Sequence, residues 1–572
     1  MNLRARSLFS SIILIVLGTT FASSQTNVVT WHNDNLRDGL NSTETILNQT
    51  NVTPTQFGKL CSAIFDGQVY GQPLVVSNAG VNTIYVATQN DSVYAINGSN
   101  CTPIANVSLL QANEEAVQCT DVGGGKCHTV NPIIGILGTP VIDISTNTIY
   151  LISESESTAG TCGTLKKKAA SCFVHRFHAL DLTTLTEKFN GPVAIAGTYQ
   201  GVVFSANTEI QRPGLLELSG VMANGDNGIY VGFSEIDGAG TPGVSVPHGW
   251  VFAFDALNLA TAPLVWSTTP DGEGGGLWAS GAGLAAGPDT PAGSTYIYAV
   301  TGDGDFTANT GGADYGDSFV KLTTGLVPSA YFTPYAQACM NISDQDFGSG
   351  GVMLTANTGS TYYAVAAGKQ GTIFAMNLAN PGGYTAPTNT TCPATGTNAN
   401  IQSFTGSTHP YFTTPASWKS QIYYLPMFGA ISRYNLNLTT PPTCLLRPIC
   451  TGTAVKSTVT FQYGTNISIS ASGTTTGTAV LWAAKSSGWP STNILQPATL
   501  YAFDAEHTVS KAIPELWDST KCPTRDQTGN AIKFVLPTIA NGAVYLGTMD
   551  RTDPTNTRGE LDVFGLTSAA CN

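Results

Sequence analysis

The sequence predicts an all-β fold: an eight-bladed β-propeller built of four-stranded antiparallel blades. Three observations predict it. One short strand motif recurs eight times at even spacing, Gly-rich turns separate the copies, and no long helical periodicity interrupts them in 572 residues.

The chain opens with Arg4 and Arg6, an apolar stretch from Leu8 to Leu17, and small residues at Ala22, Ser23 and Ser24. A positive start, a short apolar centre and a small-residue exit describe a secretory signal peptide over residues 1–24, cut before Gln25. A membrane anchor is the alternative, but Ser10, Ser11 and Gly18 leave the run shorter than the ~20 residues a span needs. Residues 25–56 then form an N-terminal extension, and 57–572 a single propeller domain. The run His32 to Arg37 in the extension is expected to anchor the chain; the alternative is that it folds across one face of the ring with Arg37 paired to a turn acid.

The repeat is an apolar residue, an aromatic, then small or β-branched residues. It occurs at Ile84-Tyr85-Val86, Ile149-Tyr150-Leu151, Ile229-Tyr230-Val231, Ile297-Tyr298-Ala299, Tyr362-Tyr363-Ala364, Ile422-Tyr423-Tyr424, Leu481-Trp482-Ala483 and Val544-Tyr545-Leu546. A second strand follows each copy and usually ends in Asp or Asn, as at Asn97, Asp181, Asp255, Asn377, Asn435 and Asp504. Those side chains bond nearby backbone and start a turn. A third strand precedes each copy, often after Pro, as at Pro73, Pro140, Pro415 and Pro537. The eighth copy ends near Leu566 one strand short, while Phe57 to Phe65 stands spare before the first. Pairing the two seals the ring and hides two sheet edges. Two stacked sandwiches are the rival architecture, and uniform spacing without a linker argues against them.

Composition narrows the function. Lys plus Arg number 24 against 37 Asp plus Glu, a net charge of −13, with one short basic run at Lys166-Lys167-Lys168. That balance argues against nucleic acid as a partner. The mature chain has no transmembrane segment and is expected to be secreted or periplasmic. Twelve cysteines, an even number, suit disulfides in an oxidising compartment. Close pairs such as Cys119 with Cys127, Cys162 with Cys172, and Cys444 with Cys450 staple loops in this reading. Zinc clusters of the C-x2-C kind do not occur.

The phrases Phe252-Ala253-Phe254-Asp255 up to Trp266, and Tyr501-Ala502-Phe503-Asp504 up to Trp517, resemble the repeat of quinoprotein-type propellers, in which a Trp docks between blades. Phe189 stands in the equivalent place in the second blade. The whole chain resembles a largely uncharacterised group of secreted PQQ-like repeat proteins of soil bacteria. The supporting runs are His32 to Arg37, Leu277 to Gly283, Asp344 to Gly351, and Gly368-Lys369-Gln370-Gly371. The wider fold implied by the resemblance holds PQQ-dependent alcohol dehydrogenases with a calcium-bound quinone over the ring axis. Their adjacent Cys-Cys pair and C-x-x-C-H haem site are missing from this sequence. Catalytic residues therefore do not carry over.

In this architecture the loops entering the innermost strand share one face with those between the second and third strands. Mapping them gathers His248, Trp278, Lys369 and Arg551 as candidate ligand-binding residues at the channel mouth. Asp303, Asp305, Asp344 and Asp346 are the candidate calcium ligands, because Ca²⁺ takes six to eight oxygens. The plainer alternatives are turn acids, a structural His, an inter-blade Trp and an ion pair between Lys369 and Asp346. No catalytic residue is assigned. The leading functional reading is a PQQ-like propeller acting as a ligand-binding or scaffold module through its loop face. Its partner would be an extracellular protein, a glycan or a small molecule. The alternatives are a PQQ- and calcium-dependent alcohol or sugar dehydrogenase, and then a polysaccharide hydrolase or lyase.

Overall fold

The computed structural model describes residues 25–122, 130–164, 168–236, 246–355, 361–399, 401–436, 446–447, 454–486 and 496–571. The expected signal peptide therefore lies outside the described residues. Eight antiparallel sheets follow one another along the chain. From the inside outward, blade 1 is Leu74–Asn78, Val81–Ala87, Ser92–Asn97 and Pro103–Ser108. Blades 2 to 7 repeat the pattern with inner strands Val141–Asp143, Leu216–Leu218, Ala285–Pro288, Val352–Leu354, Ala416–Trp418 and Ile467–Ser470. Blade 8 runs Thr538–Ala540, Ala543–Met549 and Gly559–Leu566, and its fourth strand is Phe57–Phe65, antiparallel to Gly559–Leu566 with Phe57 opposite Leu566. The only α-helix among the described residues is the six-residue Gln337–Ile342. No helix there is long and apolar enough to cross a membrane.

The recurring aromatic has a mechanical reason. In four of the eight copies its ring is buried between sheets and its hydroxyl reaches a carbonyl of the next blade. Tyr85 donates to Leu182 at 2.9 Å, Tyr150 to Ala256 at 3.0 Å and Tyr230 to Thr324 at 2.7 Å, while Tyr423 donates to Ala505. The acid or amide ending the third strand closes the following turn. Asp181 accepts the amides of Thr183 and Thr184, Asp255 those of Leu257 and Asn258, and Asp504 those of Glu506 and His507. Pro73, Pro140, Pro415 and Pro537 each stand one residue ahead of an inner strand, where no ladder donor is needed.

Packing runs around the ring sheet to sheet. Each successive pair of blades encloses one apolar core: Trp266 fills that between blades 3 and 4, and Trp517 that between 7 and 8. Phe189 packs against the core of blades 2 and 3. Val75, Ile84 and Val86 of blade 1 pack on Leu561 and Val563 of blade 8. Disulfides join Cys61 to Cys101, Cys162 to Cys172, Cys339 to Cys392, and Cys522 to Cys571. Cys119 is also disulfide-bonded, whereas Cys127, Cys444 and Cys450 fall outside the described residues.

The N-terminal extension forms an axle. Its backbone or side chains bond the inner strand of every blade in turn. Val28 pairs with Val75, Val29 accepts from Ile142, and Asn35 reaches Glu217 and Ala286. Leu36 accepts from Leu354, Asp38 from Ser417 and Gly39 from Ile469, and Asn41 donates to Ile539. Arg37 corrects the alternative reading of an ion pair with a turn acid. It is fully buried and donates to the carbonyls of Trp31, Asp34, Leu215 and Leu284 and to the Thr30 hydroxyl. Carbonyls at the ends of inner strands converge on the axis, and a five-donor guanidinium satisfies several at once.

Candidate functional site

The mouth of the ring has a floor laid across the axis by Leu277 to Gly283. Trp31 of the axle packs beneath Ala279, Ala282 and Leu536. Ser280 is held in the left-handed region (φ 50°, ψ 42°), as Ala279 is by its φ of 46°. This is an uncommon backbone for residues with a Cβ and concentrates at functional sites. Two bonds hold it there: the Ser280 hydroxyl donates to Ser349 O at 2.5 Å, and Asn466 Nδ2 donates to Ser280 O at 3.1 Å while also bonding Phe534 O at 3.0 Å. Trp278 stands half-buried on this floor. The Arg212 guanidinium lies 5.5 Å from the Trp278 ring and 4.8 Å from the Phe534 ring, with Lys533 5.6 Å from Phe534.

The acidic wall comes from blades 4 and 5. Asp303, Asp344 and Asp346 place carboxylate oxygens within 4.8 Å of one another. Lys369 bridges two of them, 2.5 Å from Asp346 and in contact with Asp344. Asp346 is buried and also accepts the Asp303 amide at 2.9 Å. Burial, then the hydrogen bond and charge of Asp346, push the Asp303 carboxyl up to about 10. Burial also works to raise Asp346, but the hydrogen bond from Asp303 and the charge of Lys369 outweigh it and hold Asp346 below the usual carboxylate range. The pair thus shares one proton, carried by Asp303. Gly302 ties this wall to the floor: a Cβ there would meet Asp346 Oδ1 at 2.5 Å and Trp278 Nε1 at 3.1 Å.

The structure therefore brings together Trp278, Lys369, Asp303, Asp344 and Asp346. It does not add Asp305, which is exposed and accepts the Glu273 amide at 3.1 Å. Arg551 is exposed, and the arginine that pairs with the neighbouring Asp550 is Arg558, at 2.6 Å. His248 is buried, its Nδ1 3.0 Å from Thr269 O, and burial lowers its basicity. It holds its loop against blade 3.

Sequence reasoning missed Asp317, Arg212 and Lys533. Asp317 accepts the Phe347 amide at 3.0 Å, and burial raises its carboxyl well above the usual range. Its place directly before the strand Phe319–Leu322, in a loop assigned to the mouth, was the available signal.

No family model and no curated protein matches the chain. Solved structures do. The quinohemoprotein alcohol dehydrogenase of Comamonas testosteroni superposes with a TM-score of 0.58 at 13% identity, over 96% of this chain and 82% of the other. That of Pseudomonas putida HK5 gives 0.55 at 12%, over 95% and 81%. A europium-containing methanol dehydrogenase gives 0.57 at 12%, over 94% and 98%. The chain has the quinoprotein propeller fold. In that fold Val28 to Asn41 bond the inner strands, and Trp31 among them packs against Ala279 and Ala282 of the Trp278 loop.

Proposed function

We propose that the chain is an exported quinoprotein-type propeller that binds a divalent cation, and through it a polar ligand, at the mouth of the ring. The observation that carries this reading is the convergence of the Asp303, Asp344 and Asp346 carboxylates beside Trp278. Three carboxylates facing one ammonium and one shared proton leave net negative charge on the wall. All-oxygen donors suit a hard cation such as Ca²⁺. Trp278 supplies a flat surface next to that charge. Export is supported by the signal-like first 24 residues and by the disulfides.

A second reading, quinone-dependent oxidation of an alcohol, is favoured by the fold shared with the dehydrogenases and by Lys369 beside the acid wall. The donor set fits the metal of such a centre, with Asp303, Asp344 and Asp346 as its oxygens. An anionic quinone would find Trp278 for its ring and Lys369, Arg212 and Lys533 for its charge. When bound, such a group accepts two electrons from the alcohol.

A spectrum of the exported protein after adding PQQ and Ca²⁺, with dye-linked alcohol and sugar assays, separates the two. Calcium binding without a quinone band or turnover supports the binding module. A quinone band with turnover replaces it by the dehydrogenase.

A further inference from the structure

Among the described residues, five large apolar side chains stand on left-handed backbone: Leu185, Phe189, Leu326, Phe428 and Phe534, with φ between 51° and 61°. A Cβ crowds the following carbonyl in that conformation, so the surroundings must offset the strain. Burial does so for four of them. Leu185 and Leu326 are 2% and 3% exposed, Phe189 packs on the core of blades 2 and 3, and Phe534 is covered by Arg212. Phe428 is 45% exposed. Its ring is held out to solvent by a backbone that few residues adopt, a combination that points to a ligand contact.

Phe428 lies on the mouth face, in the turn between Gln421–Tyr424 and Gly429–Leu436 of blade 6. Its amide donates to Gln462 O at 3.3 Å. Its ring is 5.7 Å from that of exposed His409 and 5.9 Å from that of half-buried Tyr463, so three mouth loops bring three rings together. The trio adjoins the acid wall on one side: the His409 carbonyl oxygen is 3.0 Å from where a Cβ on Gly371 would stand, and Gly371 follows Lys369 by two residues. On the other side it adjoins the floor. Gly464, next to Tyr463, abuts Phe412, whose ring is 6.2 Å from that of Phe534.

Gln370, beside Lys369, and exposed Gln462, bonded to Phe428 through its carbonyl, add uncharged donors and acceptors next to the rings. Aromatic faces flanked by amides suit a ligand with apolar ring faces and hydroxyl edges, which is the chemistry of a sugar. Sugar hydroxyls are also oxygen ligands for a hard cation. We propose that the mouth binds an oligosaccharide, with one unit at the acid wall and a following unit stacked on Phe428 beside His409. The proposal rests on the cation reading of the mouth for the inner unit alone; the Phe428 platform works without the metal.

The test titrates the full-length exported protein with cellohexaose, xylohexaose, maltohexaose and chitohexaose in a calorimeter, in Ca²⁺ and again in chelator. The wild type should bind at least one of them. Phe428→Gly should weaken that binding by about tenfold or more while melting at or above the wild type, because Gly accepts this backbone without strain. His409→Ala, at an exposed position, should weaken it by a smaller factor with an unchanged melting midpoint. Equal binding in Ca²⁺ and chelator that is lost in Phe428→Gly removes the cation from the ligand and supports the platform. Wild type that binds none of the four in either condition overturns the proposal and leaves the Phe428 ring to a protein partner. Unchanged binding by both variants overturns it too. So does Phe428→Gly that melts well below the wild type, which would make the ring a packing element.

Discussion

His32 Nε2 lies 2.8 Å from the carbonyl oxygen of Ile467, 435 residues further along the chain. The contact places the N-terminal extension at the axis of a ring completed only by the last strands of the chain. Its neighbour Arg37 makes the largest share of the axle's side-chain bonds. Replacing Arg37 with Ala leaves the carbonyls of Leu215, Leu284 and Trp31 buried without that donor. The expected loss is on the order of 3–5 kcal/mol of unfolding free energy, read from denaturant titration.

The axle also makes stability depend on pH. Burial, then the charge of Asp34, pushes Asp38 up to about 8, against the pull of its bond from the Leu40 amide. Its unfolded carboxyl titrates near 4. Between pH 4 and 8 the unfolded chain has lost this proton while the folded chain keeps it. Stability therefore falls as pH rises through that window, with a slope from this group of at most about 1.4 kcal/mol per pH unit. Asp38→Asn keeps an acceptor for Leu40 and should flatten the slope, measured by urea unfolding at a series of pH values.

The Cys61–Cys101 bond ties the fourth strand of blade 8 to blade 1 across 40 residues of sequence. Replacing both cysteines with Ala should lower stability by about 2–4 kcal/mol. Hydrogen exchange should quicken first in Phe57–Phe65, the outermost strand of its blade. Unchanged exchange there would place the restraint elsewhere.

Lys369 occupies the acid wall as a built-in cation, so it competes with any metal. Lys369→Met should raise Ca²⁺ affinity by roughly tenfold, ~1.4 kcal/mol, while lowering the stability of the calcium-free protein. Calorimetric titration paired with melting in chelator reads both signs.

The eight copies were legible because a buried aromatic and a strand-ending Asp or Asn recur at one spacing, the Tyr of four copies reaching the next blade and the Asp capping the next turn. The mouth was half legible. Asp303, Asp344, Asp346 and Lys369 follow from assigning loops to one face, but Asp305 did not follow, since the side a turn residue points to depends on backbone angles that composition does not fix. Arg37 was misread because a lone arginine suggests a carboxylate partner, while converging carbonyls of distant blades appear only in three dimensions.

The acid wall is tested most directly by titrating chelator-treated wild type, Asp344→Asn and Asp346→Asn with Ca²⁺ in a calorimeter. Asp344 is the control for folding, its side chain being 75% exposed. The wild type should bind one Ca²⁺, Asp344→Asn should bind it more weakly, and Asp346→Asn should not bind it. Wild type that takes up no Ca²⁺, or the same isotherm from all three proteins, would contradict a cation site at the mouth.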